Sequence, residues 1–538
     1  MTSCHPTRRQ ALSWAALAAA TPMLVRSETA RAAGPVVPMD LELVTLTETS
    51  VVLTWYTGDS GSPDGLGRFA PAPADTEVLM GTNPAALKQV FVEKGPTAYH
   101  YAEIHGLEPG QTYFYSARSG GVPAAPSKAF AGNPVGTSGP STLQGLPFVF
   151  TTPQPPAGRH LFTLALCNDL HFGETTAGLI TSSGGGLPPG FQQLPGLPPY
   201  PEVMGAALVT DTRARGADFL LAAGDLTAEA KPVDVARAHE FLSRFGTLDR
   251  DWFVARGNHD RSHSGADYNH CSSGIGAGTH DCFKDVFYPG QPGWFTAEIQ
   301  GLRLLGLDTY DKAGNGGDNG SLSAAQWDFV GKTLSSSKDQ PTLVFGHHPV
   351  SVEATLSSLP PVAFDLDVQE GRRLEALYAS TPGVFLHHSG HTHRNRRTTG
   401  TTATGVVFQE VSAVKEYPGG FSLVRVHEGG YALNFYKTRS DLARQWSERT
   451  RQEDFSMVPY YVFGTIGDRN SVVARDFSGL RPIGAGGPVH RPGKPSGAPG
   501  SKGGSLAATG LSNALPLLAA GAAAAGLAGM AARRSDDD

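Results

Sequence analysis

The sequence is poor in cysteine and in charged residues. Only four of its 538 residues are cysteine, and 17% are charged. So few cysteines exclude a small disulfide-stabilised scaffold, and 40% hydrophobic residues supply apolar side chains for more than one packed core. The formal net charge of −6 shows no basic excess, which excludes nucleic acid as the main partner because such binding depends on neutralising phosphates. Glycine and proline are abundant, at 66 and 40 residues, so part of the length must be loop or linker.

Residues 1–32 have the organisation of an export signal. Arg8 and Arg9 precede an apolar stretch that continues to Val25, and a small-x-small cleavage pattern follows at Ala30–Ala32. The adjacent arginines resemble the twin-arginine type, whose export machinery carries folded proteins. An ordinary secretory signal is the alternative.

The other end of the chain, residues 506–538, has the organisation of a surface anchor. Leu511–Ala532 is free of charge and long enough to span a bilayer, and two arginines follow it. The preceding Leu506–Gly510 stretch, LAATG, makes the segment similar to a sortase cell-wall sorting signal of Gram-positive bacteria, with a plain transmembrane anchor as the alternative. Residues 481–505 are predicted to be a linker, because 13 of the 24 residues from 482 to 505 are Gly or Pro. These features predict an exported protein tethered to the cell wall or membrane.

Residues 36–153 predict an all-β domain. Leu41–Tyr56 is rich in Val, Leu and Thr, Gly106–Tyr115 joins turn residues to an alternating aromatic stretch, and Phe148–Thr152 has the composition of a closing strand. Short strands separated by turns favour a β-sandwich. The Gly106–Tyr115 stretch resembles the fibronectin type III-like module that precedes the catalytic domain of purple acid phosphatases.

Residues 158–480 predict a layered α/β domain, because short apolar runs alternate with helical stretches. The predicted strands are 161–166, 219–223, 252–255, 302–307, 342–345 and 384–386, and the predicted helices are 202–215, 233–245, 324–334 and 368–378. A hairpin-like pair, 421–426 and 431–436, closes the region. The loops at the strand ends are where such a fold places a functional site.

Asp, Asn or His follows nearly every predicted strand of this region. The motifs, in chain order, are Asn168–His171, Gly224-Asp225, Gly257–Asp260, Gly346–Pro349 and Gly390–His393. A single such motif is weak support for a site. Five in order, each directly after a predicted strand, are similar to the signature of the calcineurin-like metallophosphoesterases over residues 159 to about 440.

The resemblance implies two metal ions, of Mn, Fe or Zn, held by carboxylates, an amide oxygen and imidazoles. One ion would bind Asp169, His171, Asp225 and His393, and the other would bind Asp225, Asn258, His347 and His391, with Asp225 bridging them. In the Asp169–His171 and His391–His393 pairs, an extended backbone would point both side chains the same way. His348 is the less favoured ligand of its pair, because the family's ligand stands two residues before the proline.

The resemblance also gives His259 a catalytic role, in which it stabilises the phosphate and donates a proton to the leaving group. Asp260 would either orient His259 or cap its own loop. At the position where purple acid phosphatases carry a tyrosinate ligand, this chain has Ala228, and His171 is a ligand that those enzymes lack. A colourless enzyme is therefore expected.

Other residues near the motifs leave alternatives open. Arg256, Arg261 and Arg394 could bind a substrate anion or simply lie in solvated loops, and Asp308 could support a ligand or the fold. Residues 174–201, of which 12 of 28 are Gly or Pro, form an insertion that could cover the site. Cys271 and Cys282 could pair or stay free, whereas Cys167 lies in an apolar run and is expected to be a buried thiol.

The sequence thus predicts a phosphoric ester hydrolase that acts on small organic phosphoesters as a phosphomonoesterase or nucleotidase. A phosphodiesterase would use the same metal core. A catalytically silent surface binding protein is the alternative from another class, although a binder would not need seven intact ligands.

Overall fold

The computed structural model describes residues 34–63, 69–126, 148–178, 190–311, 318–358, 365–451, 453 and 459–484. The predicted export signal, the sorting signal and residues 485–505 of the predicted linker lie outside these residues. Within the described ranges, no helix combines the length and the apolar character needed to cross a membrane.

The N-terminal part of the chain is a two-sheet β-sandwich, as predicted. Its strands are β1 (Val36–Leu46), β2 (Ser50–Pro63), β3 (Phe69–Pro71), β4 (Ala74–Gly81), β5 (Lys88–Thr97), β6 (Tyr99–His105), β7 (Thr112–Ser119), β8 (Val122–Pro123) and β9 (Phe148–Thr151). Strands β1, β2, β3 and β6 form one sheet, and β4, β5, β7, β8 and β9 form the other. Trp55 lies buried in the core between them, where its indole N–H donates to Ser119 and its ring stacks on His100.

The remaining strands form two sheets of the α/β domain. They are β10 (Ala157–Cys167), β11 (Phe219–Ala223), β12 (Trp252–Ala255), β13 (Phe295–Ile299), β14 (Leu302–Gly306), β15 (Thr342–Phe345), β16 (Val384–Ser389), β17 (Arg396–Thr399), β18 (Val407–Glu410), β19 (Gly420–Lys437) and β20 (Asn470–Ala474). The first sheet has the order β12-β11-β10-β19-β20, and the second has the order β13-β14-β15-β16-β18-β17. The predicted hairpin is the single extended segment β19, whose first half pairs with β10 and whose second half pairs with β20.

The helices of the α/β domain lie between its strands in the chain. They are α1 (Tyr200–Ala214), α2 (Pro232–Ser243), α3 (Cys282–Phe287), α4 (Ala324–Ser336), α5 (Val352–Ser357), α6 (Val368–Ala379), α7 (Asp441–Thr450), α8 (Pro459–Phe463) and α9 (Ile466–Arg469). The four predicted helices are present, with ends shifted by at most two residues. Local chemistry sets their starts: Pro232 opens α2, and the side chains of Ser323 and Asp367 accept the first free N–H groups of α4 and α6.

The two sheets of the α/β domain share one core. Leu166 and Leu221 of the first sheet and Leu343 and Phe345 of the second belong to the same buried cluster. Strands β10, β11 and β12 run parallel, and so do β14, β15, β16 and β18. The carboxyl ends of the two parallel sets meet, since the His347 ring donates to the carbonyl of Ala223 at 2.8 Å. The loops that leave both sheets therefore converge at one place.

The β-sandwich packs against the α/β domain through backbone and charged groups. The Arg469 guanidinium donates to the carbonyl of Leu43 at 2.7 Å, and the Asn434 amide donates to the carbonyl of Leu46 at 2.8 Å. An ion pair of 2.7 Å joins Arg215 to Glu103. The edge of the sandwich is thus fixed to the β19–α9 part of the α/β domain.

Candidate metal centre

The strand ends bring six of the seven predicted ligands into two adjoining clusters. Residues 169 and 171 follow β10, 225 follows β11, 258 follows β12, 347 follows β15, and 391 and 393 follow β16. One cluster joins Asp169, His171 and His393, and the other joins Asp225, His347 and His391, while His259 forms a linking group with His171 and Asp225. Within each group, one donor atom per residue lies within 4.8 Å of the others. Residues that are up to 224 positions apart in the chain therefore share one site.

In the first cluster, Asp169 lies between two imidazoles. Its Oδ1 is 3.1 Å from Nε2 of His393 and 3.5 Å from Nε2 of His171. The same His171 nitrogen is 3.6 Å from Oδ2 of Asp225. The donor atoms thus face one another around a common point.

The second cluster shares Asp225 with the first. Oδ2 of Asp225 is 3.1 Å from Nε2 of His347, and that nitrogen is 3.2 Å from Nδ1 of His391. Asn258 follows the neighbouring strand, and its side-chain oxygen is buried. Because Oδ2 of Asp225 reaches both His171 and His347, its position fits the predicted bridging role.

The backbone at the ligands is not extended, so the predicted reason for their convergence is wrong. Asp169, His171, Asp225, His391 and His393 have φ angles of 54°, 51°, 51°, 69° and 55°. Residues with a Cβ adopt this left-handed region at a cost of about 1 to 2 kcal/mol each. Such strain persists where the surrounding structure imposes it, and it concentrates at functional sites. Tight left-handed turns after the strands, rather than extended pairs, bring the ligands together.

Two glycines before the motifs allow the close approach of these turns. A Cβ on Gly257 would lie 2.1 Å from Oδ1 of Asp225, and a Cβ on Gly224, whose φ is 85°, would lie 2.7 Å from the amide nitrogen of Gly257. Any larger residue at 257 would displace the Asp225 carboxylate.

The donor set fits a pair of metal ions. Both ring nitrogens of His171 and the side-chain oxygen of Asn258 are buried without a hydrogen-bond partner, and leaving such groups unpaired is costly unless a ligand satisfies them. Burial, followed by the charge of Lys415, lowers the pKa of His171 to about 4, which keeps its imidazole neutral as metal coordination requires. Carboxylate, amide and imidazole donors suit Mn, Fe or Zn.

The other imidazoles respond to the carboxylates beside them. Burial disfavours the charged form of His347, but Asp225 and Asp169 outweigh it and raise its pKa to about 9. Burial likewise opposes charge on His393, whose pKa rises to about 9 because of Asp169 and Glu416. The surplus of negative charge that favours protons here also favours metal cations.

His259 is held by a backbone carbonyl and not by Asp260. Its Nδ1 lies 2.8 Å from the carbonyl oxygen of Ala228, to which it donates, and its backbone N–H donates to Oδ1 of Asp225 at 2.8 Å. Because a carbonyl can only accept, Nε2 is the ring nitrogen left for substrate. Asp260 accepts from the backbone of Thr227 and Gly257 at 2.9 and 3.1 Å, so it joins the β11 and β12 loops.

Several polar residues near the motifs support the fold. His348 is fully buried with one ring nitrogen 2.7 Å from Thr309 and the other 2.9 Å from the carbonyl of Asp318, which agrees with its being the less favoured ligand. Arg394 donates to Glu410 and to two backbone carbonyls.

Arg256 supports the fold through ion pairs with two aspartates, one of which is Asp308. Its buried guanidinium forms ion pairs with Asp281 at 2.8 Å and Asp308 at 3.1 Å. Arg261, in contrast, is partly exposed at the edge of the site and pairs with Asp318 at 3.1 Å. Of the three flanking arginines, Arg261 is thus the one that is not buried.

Three residues of the centre escaped the motif analysis. Glu416 accepts from Nδ1 of His393 at 2.5 Å, and Lys415 pairs with Glu174 at 2.6 Å. Asn168, which belongs to the first motif, donates through its amide to Asp169 at 2.7 Å. Residues 415 and 416 follow β18, a further parallel strand of the second sheet. The strand-end pattern did not lead to them, because β18 was not among the predicted strands and the pattern was one of Asp, Asn and His only.

The remaining sequence predictions concern the insertion and the cysteines. Ala177 and Phe191 pair with each other through two backbone hydrogen bonds of 2.9 Å, and residues 179–189 of the insertion lie outside the described part of the chain. Cys271 and Cys282 form a disulfide, and Cys167 is a buried thiol. The disulfide closes the loop that follows Arg261.

Comparison with protein families supports both halves of this organisation. Residues 162–395 match the model of the calcineurin-like phosphoesterases, and residues 37–131 match that of the purple acid phosphatase N-terminal domain. A probable cyclic nucleotide phosphodiesterase of Synechococcus sp. is 24% identical over 189 residues, which are 35% of this chain and 63% of that protein. The protein thus consists of an N-terminal β-sandwich domain followed by an α/β metallophosphoesterase domain.

Two of the solved structures to which the chain is similar are phosphatases. A purple acid phosphatase from yellow lupin seeds is 14% identical, with 83% of this chain and 76% of that chain covered and a TM-score of 0.37. A dimetal phosphatase from Danio rerio is 15% identical, with 52% of this chain and 98% of that chain covered and a TM-score of 0.38.

Proposed function

We propose that the protein is a metal-dependent phosphoester hydrolase with two metal ions, acting on small organic phosphoesters as a phosphomonoesterase or nucleotidase. The observation that carries this proposal is the shared carboxylate: Oδ2 of Asp225 lies 3.6 Å from His171 in one cluster and 3.1 Å from His347 in the other. A single metal site would not need two imidazole clusters that share one carboxylate.

In this proposal, the seven predicted ligands form two sets that share Asp225. Asp169, His171, Asp225 and His393 would hold one ion, and Asp225, Asn258, His347 and His391 would hold the other. Two such ions neutralise phosphoryl oxygens and lower the pKa of water towards neutrality.

The protein's own side chains supply the remaining steps. His259 has its Nδ1–H fixed on the carbonyl of Ala228, so a protonated Nε2 can donate to the leaving oxygen of the ester. Asp260 keeps the loops of Asp225 and His259 at a constant separation through its bonds to both. Arg261 stands beside Asn258, with its guanidinium 3.5 Å from that residue's carbonyl, and would bind an anionic group of the substrate.

The test combines metal content with turnover. The protein, freed of metal and reloaded with Mn²⁺, Zn²⁺ or Fe, is expected to bind two ions and to hydrolyse p-nitrophenyl phosphate. Two bound metals with no turnover of either this monoester or bis(p-nitrophenyl) phosphate would contradict the proposal.

Phosphodiester hydrolysis is the second candidate. It is favoured by the relative from Synechococcus sp., whose name describes a probable cyclic nucleotide phosphodiesterase. Faster turnover of the bis ester than of the monoester would establish it in place of the first candidate.

Export and anchoring are part of the proposal. The paired arginines at 8 and 9, the LAATG pentapeptide and the apolar run after it favour twin-arginine export followed by sortase attachment to the cell wall. Fractionation of cells that express wild type or an Arg8→Lys/Arg9→Lys variant tests this: the variant should stay in the cytoplasm, and its normal appearance at the wall would contradict twin-arginine export.

A further inference from the structure

Three buried ionic side chains lie behind the histidines of the first cluster. Nζ of Lys415 is 2.6 Å from Oε2 of Glu174 and 3.4 Å from Oε2 of Glu416. Each of these side chains is at most 10% exposed. They form a largely buried ionic network.

Each carboxylate of this network faces the outer nitrogen of one histidine. Oε1 of Glu416 accepts from Nδ1 of His393 at 2.5 Å, and Oε2 of Glu174 lies 3.7 Å from Nδ1 of His171. The inner nitrogens of both rings point at Asp169. Both imidazoles of one cluster are thus backed by a carboxylate of the same network.

The second cluster is supported differently. Nδ1 of His347 donates to a neutral backbone carbonyl, that of Ala223. The amide of Asn258 lies 3.4 Å from the carboxylate of Asp318, which is paired with Arg261. The groups that accept from the outer nitrogens of His347 and His393 therefore differ in charge.

The difference in charge has a chemical consequence. A carboxylate that accepts from the outer nitrogen of a histidine fixes the tautomer and the ring orientation, and it makes the inner nitrogen a stronger donor. Two carboxylates against one ammonium also add net negative charge near the first cluster. Lys415 keeps the two carboxylates at fixed positions, because each would otherwise repel the other in a buried space.

We infer that Glu174, Lys415 and Glu416 are positioning residues that set the metal affinity of the Asp169–His171–Asp225–His393 site selectively, with Glu416 acting through His393. The inference rests on the two-metal site of the proposed function. It adds a contribution from three residues that belong to none of the five motifs.

The experiment measures metal binding to each site separately, in the absence of substrate. In a His391→Ala background, which removes a ligand of the second site, Zn²⁺ affinity is measured by competition with a chromogenic chelator. Adding Glu416→Gln, which keeps the shape and removes the charge, is expected to weaken Zn²⁺ binding about 10- to 100-fold. An affinity within threefold of the His391→Ala parent would overturn the inference.

The reciprocal background tests selectivity. In His171→Ala, the remaining measurable affinity belongs to the second site, and Glu416→Gln should change it less than threefold. An equal loss in both backgrounds would show that Glu416 acts on the whole fold, and the proposed selectivity would be wrong.

A matched control separates the loss of a metal contact from the loss of any buried carboxylate. Glu375 is fully buried in α6 and accepts from the Val352 and Thr401 backbone, away from both clusters. Glu375→Gln should leave Zn²⁺ affinity unchanged, and circular dichroism and the melting temperature report whether each variant folds.

The outcome is independent of turnover. If wild type binds two metals and Glu416→Gln weakens the first site, but no phosphoester is hydrolysed, the proposed function fails and the inference stands. If hydrolysis occurs and Glu416→Gln leaves both affinities intact, the inference fails and the function stands.

Discussion

The hydroxyl of Tyr417 in the α/β domain donates a 2.5 Å hydrogen bond to the carboxylate of Glu42 in the first strand of the β-sandwich. The same carboxylate pairs with Lys437 at 2.6 Å and with Arg451. Tyr417 directly follows Glu416, which bonds to His393. The β-sandwich is therefore attached to the segment that lies behind the metal centre, and it is part of the support of the site.

Replacing Glu42 by Gln should destabilise the protein strongly. The change leaves the buried Lys437 and Arg451 without their main counter-charge, and removing one partner of a buried ionic cluster costs about 3 to 5 kcal/mol. Urea unfolding should show a lower midpoint. Glu77→Gln serves as the control, because Glu77 bonds only to Gln89 at the sandwich surface in the described contacts and should stay within about 0.5 kcal/mol of wild type. Equal stability of the two variants would contradict the role of Glu42.

The difference in stability between wild type and Glu42→Gln should depend on pH. Burial tends to raise the pKa of Glu42, but Arg451 and Lys437 outweigh it and hold this pKa well below the ordinary value of 4.5. A carboxyl whose pKa is depressed by folding stabilises the native state above its unfolded pKa, and this stabilisation is lost as the pH falls towards the folded value. The melting-temperature difference between wild type and Glu42→Gln should thus stay constant from neutrality to about pH 5 and shrink below it. A difference that grew in acid would have the wrong sign.

The metal ligands and the sandwich contacts differ in how far the sequence predicts them. Asp225 and His347 were predictable because each follows an apolar strand, and carboxyl ends of parallel strands meet. The left-handed backbone at Asp169 and His391 was not, because only packing of the two sheets imposes such strained turns. Glu42 and Arg451 are 409 positions apart in the sequence. No pattern of residue types predicts a pairing over such a sequence separation.

Replacing Asp225 by Ala should abolish turnover and reduce the metal content below two ions per chain. Both ligand sets lose a donor at once, since the Asp225 carboxylate lies between His171 and His347. Elemental analysis and p-nitrophenyl phosphate hydrolysis measure the two effects. Asp328→Ala, which removes an exposed carboxylate paired with Lys332, is the control and should retain both. Unchanged turnover in Asp225→Ala would refute the assignment of the centre.

Replacing His259 by Ala should lower kcat about 10²- to 10⁴-fold, the usual contribution of a general acid, while both metals stay bound. His259 contacts the centre through its backbone N–H on Asp225, and that contact survives the loss of the ring. The loss should be largest for substrates with poor leaving groups, because these depend most on protonation. Steady-state kinetics on phenyl phosphates of graded leaving-group pKa measure this. A loss that is independent of the leaving group would point to charge stabilisation alone.

Loading with iron should leave the protein without the purple colour of a tyrosinate–iron centre. The position that would supply the tyrosinate is Ala228, and its backbone carbonyl is already engaged by His259. The cluster on that side of the site offers His171 in addition to Asp169 and His393, so an imidazole nitrogen stands in for a phenolate oxygen in the donor set. The absorption spectrum of the Fe(III)-loaded protein, with the Zn²⁺-loaded protein as the blank, should lack a phenolate-to-iron charge-transfer band in the visible region. A visible band of that type would mean that a tyrosine elsewhere in the chain binds the metal, and the ligand set of the first cluster would then be wrong.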